Sequence, residues 1–389
     1  MKKIFSTLIV FIFFLSGCKH NIYASSSLFE STASMYIQEK DQLYLDFTSE
    51  AEKKYTPIKH EFIKATWITV MEYENLMLNK TEKDFENAVS IYFREINNQG
   101  YNTIFVHIRP YGDAYYSSSV FPKGSYYTGS YDVLEIMIEK AHSLGLSIHG
   151  WINPLRCQKE DEIKSLPDTY ITKKWYNQNF GTLISTVNGR CYLNPAYDEV
   201  IQLISNEVSF IAQNYDLDGI HIDDYFYPTT SPDFDKSTFT ESKSDNLAEW
   251  RRENCNMLVK SIYNAVKSVN SELIFSISPQ GNISTNYTSQ YADVKLWAGT
   301  KGYCDYIIPQ IYYGFENESC PFAETLIEWE KLTVCEDVAL IIGLAGYKEG
   351  KEDKWAGAGI NEWIENKDVI ARQIALVEAS SAIGYAVYH

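Results

Sequence analysis

The chain has 389 residues, enough for one large domain with extensions. Hydrophobic residues make up 45% of it, so a full core can be buried. The formal charge of −17 argues against nucleic acid as a partner, because binding phosphates needs a basic face.

The N-terminus carries the clearest local signal. Lys2 and Lys3 make a basic start, and Ile4 to Leu15 is almost wholly apolar. That run is too short for a stable membrane-spanning helix and suits the core of a signal peptide. Leu15-Ser16-Gly17-Cys18 follows, with small residues before the cysteine. It looks like a bacterial lipobox, which implies cleavage before Cys18 and acylation of its thiol. The plainer reading is an ordinary signal peptide with a chance cysteine. Residues 1–17 are read as the leader and 18–56 as a polar tether and N-terminal extension. The expectation is an exported protein of the cell envelope, held to the membrane through Cys18. Six further cysteines show no CxxC pair or other metal-ligand spacing.

Residues 57–389 repeat one alternation. Apolar, β-branched runs of strand length occur at 63–70, 103–109, 147–153, 219–225, 273–278, 306–312, 338–345 and 383–388. Helix-period segments separate them at 82–97, 132–144, 198–214, 247–269, 287–299, 321–331 and 364–380. Eight strands alternating with helices predict an α/β fold, a (β/α)8 TIM barrel. The eighth helix is missing, so either an N-terminal segment covers the gap or the barrel stays open there. Two connections are long, 154–195 and 228–246. Both follow strands, which puts them on the C-terminal face, where barrels carry their chemistry.

Strand alternation sorts the side chains. It predicts that Phe105, His107 and Arg109 face inward, with His149, Trp151, Asn153, His221, Asp223, Ser276, Ser278, Ile308, Gln310 and Tyr312. A purely structural barrel would place Val, Ile and Leu there. The polar character toward the strand ends marks a site. Its acids are Asp223 and Asp224, with Asp113 in the loop after the second strand. Hydrolysis of a glycosidic bond needs one protonated and one ionised carboxyl group. Asp223 is the first candidate. Either Asp224 or Asp113 is its partner, and Asp224 could instead hold a loop through backbone hydrogen bonds. For each strand-end acid the structural alternative is a cap or an ion pair, with Arg109 as one partner. Three inward histidines, His107, His149 and His221, raise a rival reading as a zinc site with Asp223. They lie below the strand ends, so a hydrogen-bonded layer under the site is the favoured expectation, and no metal or cofactor is expected.

The stretches that carry these residues resemble the glycosyl hydrolase-like family 10 proteins. The likeness runs from about Lys64 to Tyr388. It rests on Thr66-Trp67-Ile68-Thr69, on Arg109-Pro110-Tyr111-Gly112-Asp113-Ala114 and on His149 to Arg156. It continues through Tyr192-Leu193-Asn194-Pro195, Tyr215 to Pro228, Trp250 to Asn254, Ser276 to Gly281 and Asp305 to Tyr313. The resemblance implies hydrolysis of envelope glycan, with peptide-free peptidoglycan strands as the suspected substrate. Two positions depart from the pattern, Asn194 where relatives often carry Asp, and Gln280 where an aromatic residue is common.

The chain has 30 Tyr and 8 Trp. Most will pack the barrel, but aromatic faces also suit sugar rings. The predicted aromatic rim is Trp67, Trp151, Tyr225, Tyr312 and Tyr313. Arg109 is expected to hold a carboxylate or an acidic sugar substituent. Asn153, Arg156 and Gln310 are expected to bond sugar hydroxyls, with His107 and His221 also at the substrate. The alternatives are a non-catalytic glycan-binding lipoprotein and a metal-dependent hydrolase.

Overall fold

The computed structural model describes residues 55–389. The leader, Cys18 and nearly all of the tether lie outside the described residues.

The strands are β1 (Ile63–Ile68), β2 (Thr103–Arg109), β3 (Ser147–Ile152), β4 (Arg156–Lys159), β5 (Ile184–Val187), β6 (Arg190–Leu193), β7 (Gly219–Ile222), β8 (Ile274–Ile277), β9 (Tyr306–Ile307), β10 (Ala339–Leu340), β11 (Ile342–Ala345) and β12 (Gly384–Tyr388). Nine of them form one parallel sheet in the order β10-β9-β8-β7-β3-β2-β1-β12-β11. Its two ends are the two halves of a single run. Leu340 pairs with Ile307 on one side, and Ile342 pairs with Tyr385 on the other. The Ile341 N–H donates to Ile307 O at 3.0 Å and the Ile383 N–H donates to Leu340 O at 2.8 Å. The run thus closes the sheet, and eight strands follow one another in chain order around a barrel, as the alternation predicted.

The helices obey the same pattern. In Glu82–Asn98 the buried residues are Phe85, Val89, Phe93 and Ile96, one stripe at helical spacing. Thr81, Asp132 and Asn246 cap three helices through side-chain oxygens that accept backbone N–H bonds. Ile104, Val106 and Ile108 of β2 join the outer core with these helices. Phe105 lies in the inner core with Ile63, Ala65, Trp67, Trp151, Ile308, Ile341 and Ala386. The six cysteines of the described residues are unpaired.

The long connections are built structures. Residues 154–195 carry an antiparallel sheet, β4-β6-β5, and two short helices, Glu160–Ser165 and Ile171–Gln178. Residues 228–246 carry a 3-10 turn, Pro232–Phe234, and the helix Lys236–Ser242.

Candidate active site

The floor of the mouth is a layer of rings. Trp67 donates its indole N–H to His221 Nε2 at 3.1 Å, and His221 Nδ1 bonds Ser276 Oγ at 2.8 Å. Because Nε2 accepts, Nδ1 carries the proton, and His221 is neutral with both nitrogens committed. Burial and the two other histidines hold its pKa well below the ordinary value. Phe105 stacks on His221 and meets His149 edge-on. Burial pulls His149 down to about 4, and its Nε2 bonds Ser147 Oγ. The close seat of His149 requires Gly219, where a Cβ would lie 2.5 Å from its Nδ1. His107 stacks on Trp151 at 3.3 Å and its Nδ1 accepts the Val70 N–H. This layer supports the site from below. His221 has no nitrogen left for a sugar or a metal, and Trp67 is floor rather than rim.

Arg109 departs from the alternation. His107 pairs with Trp151, yet Arg109 pairs with Ile152, so β2 carries one extra residue against β3. The bulge turns Arg109 off the inner face. Its guanidinium donates to Asn153 O and Pro154 O and lies over the Phe121 ring of the outer core. It is buried, and it fastens the loop after β3 instead of meeting substrate. Asn153 is buried too, with its Nδ2 donating to Pro110 O.

Asp113 travels with Arg109. It follows Gly112, whose φ of +66° makes the turn, and its Oδ1 accepts the Tyr111 N–H at 2.9 Å. Burial pushes its pKa from 3.8 up to about 6, against that hydrogen bond and the Arg109 charge. The native state therefore binds more protons than the unfolded chain between those values, and stability falls as pH rises through the interval. Asp113→Asn keeps the acceptor and removes the titration. Its unfolding free energy is expected to lose the fall between about pH 4 and 7, a difference on the order of 2–3 kcal/mol. Denaturant midpoints at the two pH values check this. An unchanged pH slope would refute it.

The structure gathers Asp223 and Asp224 at the end of β7 with Trp151, Arg156, Tyr225, Gln280, Gln310 and Tyr312. Asp223 is buried, and its Oδ1 accepts the Tyr225 N–H at 3.3 Å. Burial and then the neighbouring Asp224 push its pKa well above the carboxylate range, while Tyr225 N–H, Arg156 and the Trp151 indole pull the other way. Asp224 is raised by burial and held back by the carboxamides of Gln280 and Gln310. Gln310 is itself fixed by its Nε2 donating to Ser278 O at 2.9 Å. Two adjacent carboxylates cannot both ionise readily, and the stronger upward push falls on the more buried Asp223.

Above this pair, Arg156 stands on β4, held by the register Arg156 to Tyr192. Its guanidinium lies 4.2 Å from the Tyr225 ring and 4.9 Å from the Tyr111 ring. Tyr225 is 42% exposed and is a true rim residue. Tyr312 stacks on Tyr388, and Tyr347 meets both edge-on. Tyr313 packs against the outer core instead. No local signal in the sequence marks Tyr347 or Tyr388. Trp355 is 90% exposed on the segment after β11, whose Asp353 pairs with Lys348, which also donates to Tyr312 O. Gln280 stands out in the sequence only as a departure from the family pattern, and nothing in its neighbourhood signals its place beside Asp224.

Residues 62–356 match the family described as Glycosyl hydrolase-like 10. "Glycosyl hydrolase YngK" of Bacillus subtilis (strain 168) is 29% identical over 314 residues, 74% of this chain and 60% of that protein. "Glycosyl hydrolase DigH" of Escherichia coli (strain K12) is 31% identical over 285 residues, 66% of this chain and 64% of that protein. The chain thus spans less than two thirds of the length of either relative. The PgaB (BpsB) glycoside hydrolase domain from Bordetella bronchiseptica superposes with a TM-score of 0.55 at 10% identity, covering 84% of this chain and 94% of that one. Alpha-L-fucosidase isoenzyme 2 from Paenibacillus thiaminolyticus gives 0.54 at 14% identity, covering 84% and 46%. At such identities these structures speak for the barrel fold alone.

Proposed function

The chain belongs to the Glycosyl hydrolase-like 10 family, and from that premise we propose that it is a glycoside hydrolase of envelope glycan, acting on peptide-free peptidoglycan strands. The observation that carries this reading is the Asp223–Asp224 pair, two strand-end acids whose pKa values are both pushed up, Asp223 the further. Asp223 gives its proton to the leaving glycosidic oxygen as the bond from the sugar C1 to that oxygen breaks. The Asp224 carboxylate offsets the positive charge that develops at C1. Water then supplies the hydroxyl at C1, and Asp223 is reprotonated for the next cycle. Tyr225 offers a flat apolar face to a sugar ring, Tyr312 stands near both acids, and Gln310 and Gln280 hold Asp224 in place. Among the described residues no cluster of three His, Cys, Asp or Glu groups is arranged to hold a metal ion, and none of these steps needs one.

The basic start, the apolar run and Leu15-Ser16-Gly17-Cys18 support a lipid anchor that keeps the barrel near such a substrate.

The test is direct. The whole chain, incubated with peptide-free peptidoglycan strands, is expected to release new reducing ends. The rate should fall on the alkaline side as Asp223 loses its proton and on the acid side as Asp224 gains one. Glycan binding with no turnover at any pH would sink the hydrolase reading and leave a glycan-binding protein.

A further inference from the structure

Arg156 acts on the Asp223 and Asp224 carboxyl groups only through space. Among the described residues no carboxylate lies within ion-pair distance of it, and its Nε is buried without a hydrogen-bond partner. Arg109 and Arg190 differ from it in making side-chain hydrogen bonds, although Arg109 Nε is likewise without a partner. Arg109 is spent on two carbonyls, and Arg190 donates to Cys157 O at 2.7 Å while lying over the Tyr111 ring. Asp223 and Asp224 have other donors, the Tyr225 N–H and the two glutamine carboxamides. They do not need Arg156 as a hydrogen-bond partner.

The side chain is nonetheless well placed. β4 and β6 fix its backbone, and the rings of Tyr225 and Tyr111 fix its guanidinium. A guanidinium held by aromatic contacts keeps its donor edge free, and that edge fits a planar two-oxygen acceptor. The chain as a whole carries −17, which repels anions at a distance. At physiological salt that repulsion fades within about 8 Å, so a local cation decides what binds beside it.

We propose that Arg156 reads a free carboxylate on the glycan, and so makes the site selective for strands bearing an acidic substituent next to the cleaved bond. This rests on the glycosidase reading. In peptidoglycan the matching group is the lactyl carboxylate of the muramic sugar. It is free once the peptide is gone and is masked as an amide while the peptide is present. Arg156 would thereby exclude intact strands and accept stripped ones, through one ion pair that is made or not made.

The experiment compares two glycans with the whole chain. One is peptide-free peptidoglycan strands. The other is the same material with its carboxyl groups reduced to alcohols by carbodiimide and borohydride. The preference is read as a ratio of Kd values by calorimetry, and separately as a ratio of kcat/KM values. Wild type is expected to prefer the carboxylate form by about 10- to 100-fold in both, the range of one charge-assisted pair. Arg156→Gln should bring both ratios to within about threefold of one, whatever its absolute rate. Arg156→Lys, which keeps the charge and loses the fork, should keep a smaller preference. Equal Kd values in wild type, or a preference that survives in folded Arg156→Gln, overturns the proposal. If Arg156→Gln does not fold, the wild-type ratio decides alone. The expected Kd ratio without any turnover would keep Arg156 as the reader and discard the hydrolase.

Discussion

Asp223→Asn is expected to lower kcat by about 10²–10⁴-fold, the contribution of a positioned general acid, while glycan affinity stays within a few-fold. Asn keeps an oxygen for the Tyr225 N–H that Asp223 accepts, so the strand end keeps its shape. It has no proton to give to the leaving oxygen. In this reading Asp223 is already neutral where Asp224 titrates, so the substitution changes no charge beside Asp224 there. The acid limb of any residual activity should stay where it is, and the alkaline limb, set by loss of the Asp223 proton, should disappear. Release of reducing ends, read alongside the melting temperature, separates chemistry from folding. A folded variant with wild-type turnover would remove Asp223 from the mechanism.

The second large effect concerns stability. Arg251 and Asp235 are both fully buried, and two of their contacts are 2.6 and 2.9 Å. Arg251 also donates to Thr229 O, Ser231 O and the Tyr291 hydroxyl. It therefore ties the helix Leu247–Val269 to the long loop that follows β7. Arg251→Ala leaves Asp235 as an uncompensated charge in the core. The expected cost is about 3–5 kcal/mol. For a domain of this size that lowers the Tm by on the order of 10 °C. The double variant Arg251→Met with Asp235→Leu should recover most of the loss, since it deletes both charges and keeps the volume. Thermal unfolding of the three proteins checks this. A loss below about 1 kcal/mol in Arg251→Ala would show that the loop is held by something else.

The barrel was legible because parallel strands covered on both faces read as apolar, β-branched runs, and because their helices repeat a stripe such as Phe85, Val89, Phe93 and Ile96. Asp223 and Asp224 were legible for a related reason. An acid pair directly after such a run stands at a strand end. Alternation then failed at a single residue. The bulge between His107 and Arg109 leaves no mark on the amino-acid types, yet it turns Arg109 from the mouth to the outer core. The sequence places Trp67 in the aromatic rim and His221 at the substrate. Depth decides between floor and rim, and the Trp67 to His221 hydrogen bond places them in the floor. Tyr347, Tyr388 and Gln280 reach the site from distant parts of the chain, and nothing local announces a contact made only by closure of the barrel.

That closure has a consequence for assembly. β12 fills the gap between β11 and β1, and the Thr66 hydroxyl bonds Val387 O across 321 positions of sequence. During synthesis the first barrel strand waits for almost the whole domain to appear before its second neighbour arrives. Until then the edges of β1 and β11 are unpaired, and the rings of Trp67 and Tyr388 have not met. Contacts so remote in sequence form late and slowly, and a nascent chain in that state is a natural client for a chaperone.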